Sequence, residues 1–171
     1  MRSTFLTLSI LLILILFILK SFFKATPGWA EPKECIDATS IMAFAYMLFH
    51  HGHYYRAIME YERFTYFFPQ HPCIPKVRFN TARSMKLAGY YTSALEIFTS
   101  LAKEYEGINP GIEASFQKAE VFYLMHDYQS ALNQYAEFLS HYSQHQLAEK
   151  AKSAIEKIGK HSPRRPQRTQ R

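Results

Sequence analysis

The chain repeats itself at a fixed interval, and this interval restricts its fold more than any other feature of the sequence. Ala57, Ala94 and Ala131 follow one another at intervals of 37 residues. Four further sets keep the same interval: Tyr54, Tyr91 and Tyr128; Tyr61, Phe98 and Tyr135; Ala45, Ala82 and Ala119; and Phe64, Leu101 and Phe138. A period of about 20–50 residues is typical of a solenoid, in which each unit buries its apolar face against its neighbours. The sequence therefore predicts a stack of similar units instead of one globular core.

Each unit carries residues that begin and end two helices joined by a short turn. Gly52 and Gly89 suit the position that follows a helix, and Pro75 suits a first helical turn. Asn109 and Asp127 are expected to cap the helices that follow them. The expected helices extend over about residues 39–49, 54–68, 75–88, 91–105, 110–125, 128–142 and 146–160.

The last expected helix has two different faces. One face is apolar and the other is charged, with Leu147, Ala151, Ala154, Ile155 and Ile158 on the first and Glu149, Lys150, Lys152, Glu156 and Lys157 on the second. A half-polar terminal helix of this kind covers the end of a solenoid. The expected fold is therefore all-α: an α-solenoid of three helix–turn–helix repeats plus a C-terminal capping helix, preceded by an N-terminal hydrophobic helix.

The residues shared by the units resemble those of the tetratricopeptide repeat, a helix–turn–helix unit of about 34 residues. As in that family, each unit has a small residue in its first helix and an alanine followed by an aromatic residue in its second. Gly52 with Tyr54, and Gly89 with Tyr91, match the family's turn, whereas His126 stands at the third glycine position. The resemblance implies repeats at residues 38–74, 75–111 and 112–145, and a capping helix at residues 146–160.

Three segments are also similar to repeats of bacterial envelope proteins. YYRAIMEYERFTYFFPQHP, YYTSALEIFTSLAKEY and YQSALNQYAEFLSHY resemble repeats of outer-membrane β-barrel assembly lipoproteins and of Tol-Pal-associated coordinator proteins. The chain departs from the lipoproteins because Pro32, Lys33 and Glu34 before Cys35 lack the small and aliphatic residues of a lipid-attachment site. The resemblance implies a non-enzymatic scaffold of the cell envelope that binds proteins, with envelope assembly or division proteins as partners.

The N-terminus predicts export or membrane attachment. Arg2 precedes an apolar run at residues 5–19 that contains only two polar residues, Thr7 and Ser9. This pattern indicates a signal peptide within residues 1–30, cleaved after Ala30, or a membrane anchor of about 20 residues. Residues 31–37 would form a linker, and the folded part would lie in the periplasm or face it from the inner membrane. Lys20 and Lys24 favour the opposite orientation, so a membrane-anchored adaptor on the cytosolic side is the alternative.

The two cysteines bear on the same question of compartment. Cys35 lies just before the first expected helix, and Cys73 lies just after the second. Because the start of one helix and the end of the next are neighbours in an antiparallel pair, a disulfide between them is expected. It would indicate an oxidising compartment, whereas two free thiols would fit the cytosolic-side alternative.

The tetratricopeptide resemblance implies a concave groove lined by the first helix of each repeat. It maps this protein- or peptide-binding groove onto Met42, Tyr46, Phe49, His50, Lys76, Phe79, Arg83, Lys86, Glu113, Phe116, Glu120 and Tyr123. Aromatic residues with flanking charges suit an extended or helical peptide, and Arg83 and Lys86 can receive an acidic side chain. Self-association of the chain through the groove is the alternative.

Neither catalysis nor a cofactor is expected. His50, His51 and His53, and also His141 and His145, lie close in sequence, but no acidic or cysteine ligand accompanies them at a fixed spacing. The sequence holds no nucleophile–base motif and no glycine-rich phosphate loop, so no metal, cofactor or enzymatic activity is predicted.

The C-terminal tail is basic and is expected to be disordered over residues 161–171. Its arginines can bind lipid headgroups or nucleic-acid phosphates, which gives a second alternative function through the tail. Outside it, the chain is close to neutral, and the folded part is not expected to bind nucleic acid. The arginines of the tail are Arg164, Arg165, Arg168 and Arg171.

Overall fold

A computed structural model describes residues 40–161 of the chain. The expected N-terminal hydrophobic helix at residues 1–30, the linker at 31–37 and the tail from residue 162 onward lie outside this range. Within it are seven helices and no strand, so the all-helical class is confirmed. The helices are α1 (Ser40–His50), α2 (Tyr54–Phe67), α3 (Ile74–Leu87), α4 (Tyr91–Glu104), α5 (Gly111–Leu124), α6 (Tyr128–Tyr142) and α7 (Ala148–His161).

The helices pack in series, each against the next one along the chain. The first buried cluster joins α1 and α2 to Val77 at the start of α3. The second joins α3 and α4 to α5, and the third joins α5 and α6 to α7. In addition, α3 contacts α5 directly. This arrangement of successive helix–turn–helix pairs is consistent with a solenoid.

The repeated residues form the core. All six repeated alanines are fully buried, which lets the two helices of each pair approach closely. The repeated aromatic positions fill the space beside them, with Tyr61, Phe98 and Tyr135 at most 3% exposed. One contact recurs in the same form, because the Phe79 and Phe98 rings lie 5.7 Å apart and their equivalents Phe116 and Tyr135 lie 5.6 Å apart.

The three turns within the pairs share one geometry. Gly52, Gly89 and His126 have φ angles of 77°, 87° and 61°, in the left-handed region. Their N–H groups donate to the carbonyls of Phe49, Lys86 and Tyr123, three residues earlier in each case. The following N–H donates five residues back, which completes the hydrogen bonding of a Schellman motif. The third turn therefore keeps this conformation although its residue is a histidine.

The two predicted caps have different outcomes. Asp127 caps α6 by accepting a hydrogen bond of 3.1 Å from the N–H of Ser130. Hydrogen bonds from the Ser130 side chain and backbone lower the pKa of this carboxyl group. The prediction for Asn109 is wrong, because α5 begins at Gly111 and Pro110 holds the capping position. The Asn109 side-chain oxygen is buried and accepts no hydrogen bond from the described residues.

Candidate functional site

The twelve residues expected to line a groove all lie on the odd-numbered helices α1, α3 and α5. Four of them are buried, with Met42 at 5%, Phe49 at 9%, Phe79 at 3% and Phe116 at 4% exposure. They belong to the three core clusters, so they support the surface from beneath instead of lining it. The remaining eight are at least partly accessible, and we call them the odd-helix surface: Tyr46, His50, Lys76, Arg83, Lys86, Glu113, Glu120 and Tyr123.

Burial of three of these apolar residues follows from the second helix of each pair. Phe79 faces Phe98 of α4, and Phe116 faces Tyr135 of α6. Met42 holds the same repeat position and lies in one cluster with Tyr61 of α2. An apolar residue at this position therefore completes the packing of the helical pair. The sequence itself indicates this, because these residues recur at the same 37-residue interval as the buried aromatic residues.

Arg83 lies at the centre of the odd-helix surface and is half-buried. Its guanidinium carbon lies 4.8 Å from the centre of the Phe49 ring and 6.0 Å from that of Phe79, so it bridges α1 and α3. Among residues 40–161, no carboxylate forms an ion pair with Arg83. Its charge is therefore held against aromatic rings without an opposite charge from the described part of the chain.

Tyr61, close to Arg83, is affected by burial and by this charge. Burial raises the pKa of Tyr61 to about 12, although the nearby Arg83 charge acts in the opposite direction. Tyr46 also lies close enough to raise this pKa slightly, and its own ring is 48% exposed. The Tyr46 ring contacts the His50 ring in a tilted arrangement, with 4.2 Å between the ring centres. An exposed aromatic pair thus stands beside the half-buried cation.

The Lys86 side chain forms its polar contacts within the molecule. Its Nζ donates to Gln117 Oε1 and to Glu120 Oε2, each at 2.6 Å. The Lys86 side chain is 12% exposed, and the pair connects α3 to α5. Because Glu120 already compensates its charge, Lys86 is less available than Arg83 for an acidic side chain from a partner.

The α5 part of the surface is acidic and aromatic. Tyr123 contacts Lys157 of α7, whose Nζ lies 5.4 Å from the ring centre. Burial raises the pKa of Tyr135 beneath this region, and the neighbouring Glu120 and Tyr123 add to the effect. The surface therefore changes along the stack from aromatic on α1, through cationic at Arg83, to the Lys86–Glu120 ion pair and Glu113.

Apart from Tyr46, the exposed apolar residues of the first helical pair were missed by sequence reasoning. Eight of the fourteen large apolar side chains that are exposed among the described residues lie between positions 44 and 68. A comparison of each position with its 37-residue equivalents could have found them, because the equivalents in the later pairs are mostly polar. The eight are Phe44, Tyr46, Met47, Tyr55, Met59, Tyr66, Phe67 and Phe68.

A polar cleft of about 240 Å³ lies between α4, α5 and α6. Lys103, Lys118, Glu106 and Glu137 line it, together with His141. A second cleft of about 360 Å³ lies one repeat earlier, between α2, α3 and α4. The two clefts occupy equivalent places in successive repeats, so they result from the way the helical pairs stack. Their linings share no set of charged residues.

The histidines do not gather into a metal site in the described part of the chain. Residues 40–161 contain no group of three or more histidine, cysteine, aspartate or glutamate side chains placed to hold a metal ion. His51 Nδ1 lies 2.8 Å from the Met47 carbonyl, and His141 Nδ1 lies 3.0 Å from the Glu137 carbonyl. These rings thus contact the backbone of the preceding helical turn.

Two expectations about compartment depend on residues beyond the described range. Cys73 is 2% exposed at the start of α3, but Cys35 lies outside residues 40–161, so their disulfide stays a prediction. None of the seven helices between residues 40 and 161 has both the length and the apolar character to cross a membrane.

Comparison with protein-family models and with curated proteins gives no relative. No protein-family model matches the chain. No curated protein matches its sequence either. Function must therefore be inferred from the residues and their arrangement.

Proposed function

We propose that this protein is a non-enzymatic, tetratricopeptide-type scaffold of the bacterial cell envelope that binds an acidic segment of a partner protein on its odd-helix surface. The repeated alanines, the paired aromatic residues and the left-handed turns support the repeat type. The apolar residues 5–19 after Arg2 and the envelope-like repeat segments support the compartment. Arg83 carries the proposal for the binding site.

Arg83 has the physical features of a carboxylate receptor. Packing against Phe49 and Phe79 fixes its planar guanidinium and removes part of its water. A carboxylate that reaches a partly desolvated arginine gains a charge-assisted hydrogen bond, which contributes about 1.5–3 kcal/mol. Two other half-buried cations of α3 are already paired with carboxylates of this chain. Arg78 pairs with Glu104, and Lys86 pairs with Glu120.

The exposed aromatic residues supply the rest of the contact. Tyr46 and His50 form a tilted aromatic pair on α1, on the same surface as Arg83. Tyrosine and arginine are enriched among the residues that dominate binding energy in protein interfaces. A partner segment with an acidic residue and adjacent apolar residues would therefore fit this part of the surface.

The test combines site-specific photo-cross-linking with one charge substitution. A photoreactive residue replaces Tyr46 in the full chain in its native host, and the cross-linked peptides are identified by mass spectrometry. We expect the attached peptides to contain Asp or Glu, and Arg83→Gln to lower their yield by at least about tenfold.

Arg63→Gln provides the matched control. Arg63 also lies beside an aromatic ring, 6.0 Å from the centre of Phe67, but it is on α2 and its side chain is 58% exposed. We expect it to leave the cross-link yield unchanged. Equal yields from Arg83→Gln and the parent chain, with helix content intact, would show that the partner does not bind at Arg83.

A further inference from the structure

The side of α1 that faces away from α2, its partner in the first helical pair, is apolar. Phe44 is 39% exposed and Met47 is 43% exposed. Ser40 and Ala43 are exposed as well, and their helical spacing places all four on one side. Over its whole length, from Ser40 to His50, α1 has no Asp, Glu, Lys or Arg.

The same side is covered in the later odd helices. Val77 of α3 is the 37-residue equivalent of Ser40, is fully buried and belongs to the cluster formed by the preceding pair. Thr81 and Ser84, the equivalents of Phe44 and Met47, are 6% and 0% exposed. In a solenoid this side of an odd helix is therefore an interface with the unit before it. At two of these positions α1 carries Phe44 and Met47, which are larger and more apolar than Thr81 and Ser84, yet they are exposed.

The opposite end of the stack is built differently. The accessible residues of α7 include Glu149, Lys152, Glu156 and Lys160, which pair with one another in helical ion pairs. Head-to-tail stacking of α1 onto α7 would bury these charges against Phe44 and Met47, at a high desolvation cost. A twofold pairing, in which α1 meets α1, avoids this cost.

We propose that the apolar side of α1 is a self-association surface, on which two copies of this chain pair about a twofold axis. A twofold axis brings the residues that lie near it close to their own counterparts, so a charge near the axis would meet a like charge. Because α1 carries no such charge, it satisfies this condition. Ser40 and Ala43 are small enough for two helices to approach to about 8 Å, while Phe44 and Met47 supply the buried apolar area.

This pairing is independent of the acidic partner proposed for Arg83. It rests on Phe44 and Met47, which border the Tyr46 and His50 pair on α1. One helix side per copy is smaller than the roughly 800 Å² that each partner buries in a standard interface. We therefore expect a reversible dimer with a dissociation constant on the order of micromolar.

The repeat itself provides substitutions that keep the fold. Phe44→Thr with Met47→Ser installs the residues that α3 carries at the same positions, Thr81 and Ser84. The full chain is studied by analytical ultracentrifugation in density-matched mild detergent, over a series of concentrations around the micromolar range. We expect the parent chain to form dimers, and the double variant to weaken dimerisation by at least about tenfold.

A matched control removes apolar surface from α2 instead. Tyr55→Thr with Met59→Glu installs the residues of α4 at the same positions, Thr92 and Glu96, and both parent side chains are more than half exposed. We expect this variant to dimerise like the parent chain. A monomeric parent chain, or a dimer that the control disrupts and the α1 variant does not, would overturn the proposal.

A cross-link reports the twofold geometry directly. Met47→Cys is introduced into the full chain and treated with a bismaleimide whose reach is about 10 Å, close to the expected separation of the two copies. We expect a covalent dimer that Phe44→Thr suppresses and that exceeds the product from Tyr66→Cys, a position 80% exposed on α2. A higher yield from Tyr66→Cys would place the contact elsewhere and refute α1 pairing.

Discussion

His126 adopts a backbone conformation that glycine adopts in the other two turns. Its φ angle of 61° costs a residue with a Cβ atom about 1 kcal/mol relative to glycine. Part of this cost is offset by contacts of its ring with Tyr128, including a distance of 3.0 Å between Nδ1 and the tyrosine hydroxyl. The turn therefore depends on its hydrogen-bond pattern, and one departure from glycine leaves that pattern intact.

Gly111 is required by a close approach between chain segments. A Cβ atom at this position would lie 2.0 Å from the backbone oxygen of Tyr105, far inside van der Waals contact. We expect Gly111→Ala to lower the free energy of unfolding by about 3 kcal/mol, because backbone must move to relieve the clash. Urea denaturation followed by circular dichroism measures this change.

Gly159→Ala is the control for Gly111→Ala. Nothing lies within 4 Å of a Cβ atom at Gly159, which is within α7. Alanine is the better helix former there, so this variant should be unchanged or more stable by up to about 1 kcal/mol. A Gly111→Ala variant as stable as Gly159→Ala would contradict the contact with Tyr105.

Tyr61 makes stability depend on alkaline pH. Burial raises its pKa from 10.0 to about 12, so the folded state holds the hydroxyl proton more tightly than the unfolded state. This contribution is fully present below pH 10 and is lost as the pH rises toward 12, by up to about 2–3 kcal/mol. Tyr61→Phe should therefore lose less stability than the parent chain between these pH values.

Denaturation at a series of alkaline pH values tests the role of Tyr61. Tyr66→Phe serves as the comparison, because Tyr66 is 80% exposed. Its pH dependence should match that of the parent chain. If Tyr61→Phe and Tyr66→Phe lose stability equally above pH 10, the burial of the Tyr61 hydroxyl is not the cause.

At the level of the helices, the Lys86–Glu120 ion pair connects α3 and α5, which are not consecutive. Since Lys86 is 12% and Glu120 is 33% exposed, the pair is shielded from water better than a surface pair. We expect a double-mutant cycle with Lys86→Met and Glu120→Gln to give a coupling energy of about 1–2 kcal/mol.

The Glu156–Lys160 pair is the reference for this cycle. It lies within α7 with side chains 68% and 69% exposed, and pairs of this kind contribute about 0.3–0.5 kcal/mol. The corresponding cycle, Glu156→Gln with Lys160→Met, should therefore give the smaller coupling energy. Equal coupling energies would mean that Lys86 and Glu120 interact through water in solution.

Helix positions could be predicted from the sequence, but the accessible residues of the odd-numbered helices could be predicted only in part. The observed ends agree with the expected ones within about two residues, because Gly52, Gly89 and Asp127 act locally. The burial of Phe79 and Phe116 depends on aromatic residues 19 positions away in the next helix. Asn109 was wrongly predicted to cap α5, because the start of this helix is set by the packing of Gly111 on Tyr105. No local sequence pattern shows this contact.

For the whole molecule, the state of Cys35 and Cys73 distinguishes the two expected compartments. We expect the mature protein from its native host to gain the mass of two alkylated thiols only after reduction, as a disulfide in an oxidising compartment requires. Loss of residues 1–30 from the intact mass would identify a signal peptide, and their retention would identify an anchor. Thiols that alkylate without reduction would instead support the cytosolic-side adaptor.

The serial packing of the helices also determines how such a chain can fold. Because each helix contacts mainly its sequence neighbour, its contacts close short loops and cost little chain entropy. Chains with such local contacts fold fast, and any one helical pair can serve as the nucleus. During synthesis, α1 and α2 can therefore pair while the later repeats are still being translated, and each new pair adds to a surface that is already formed.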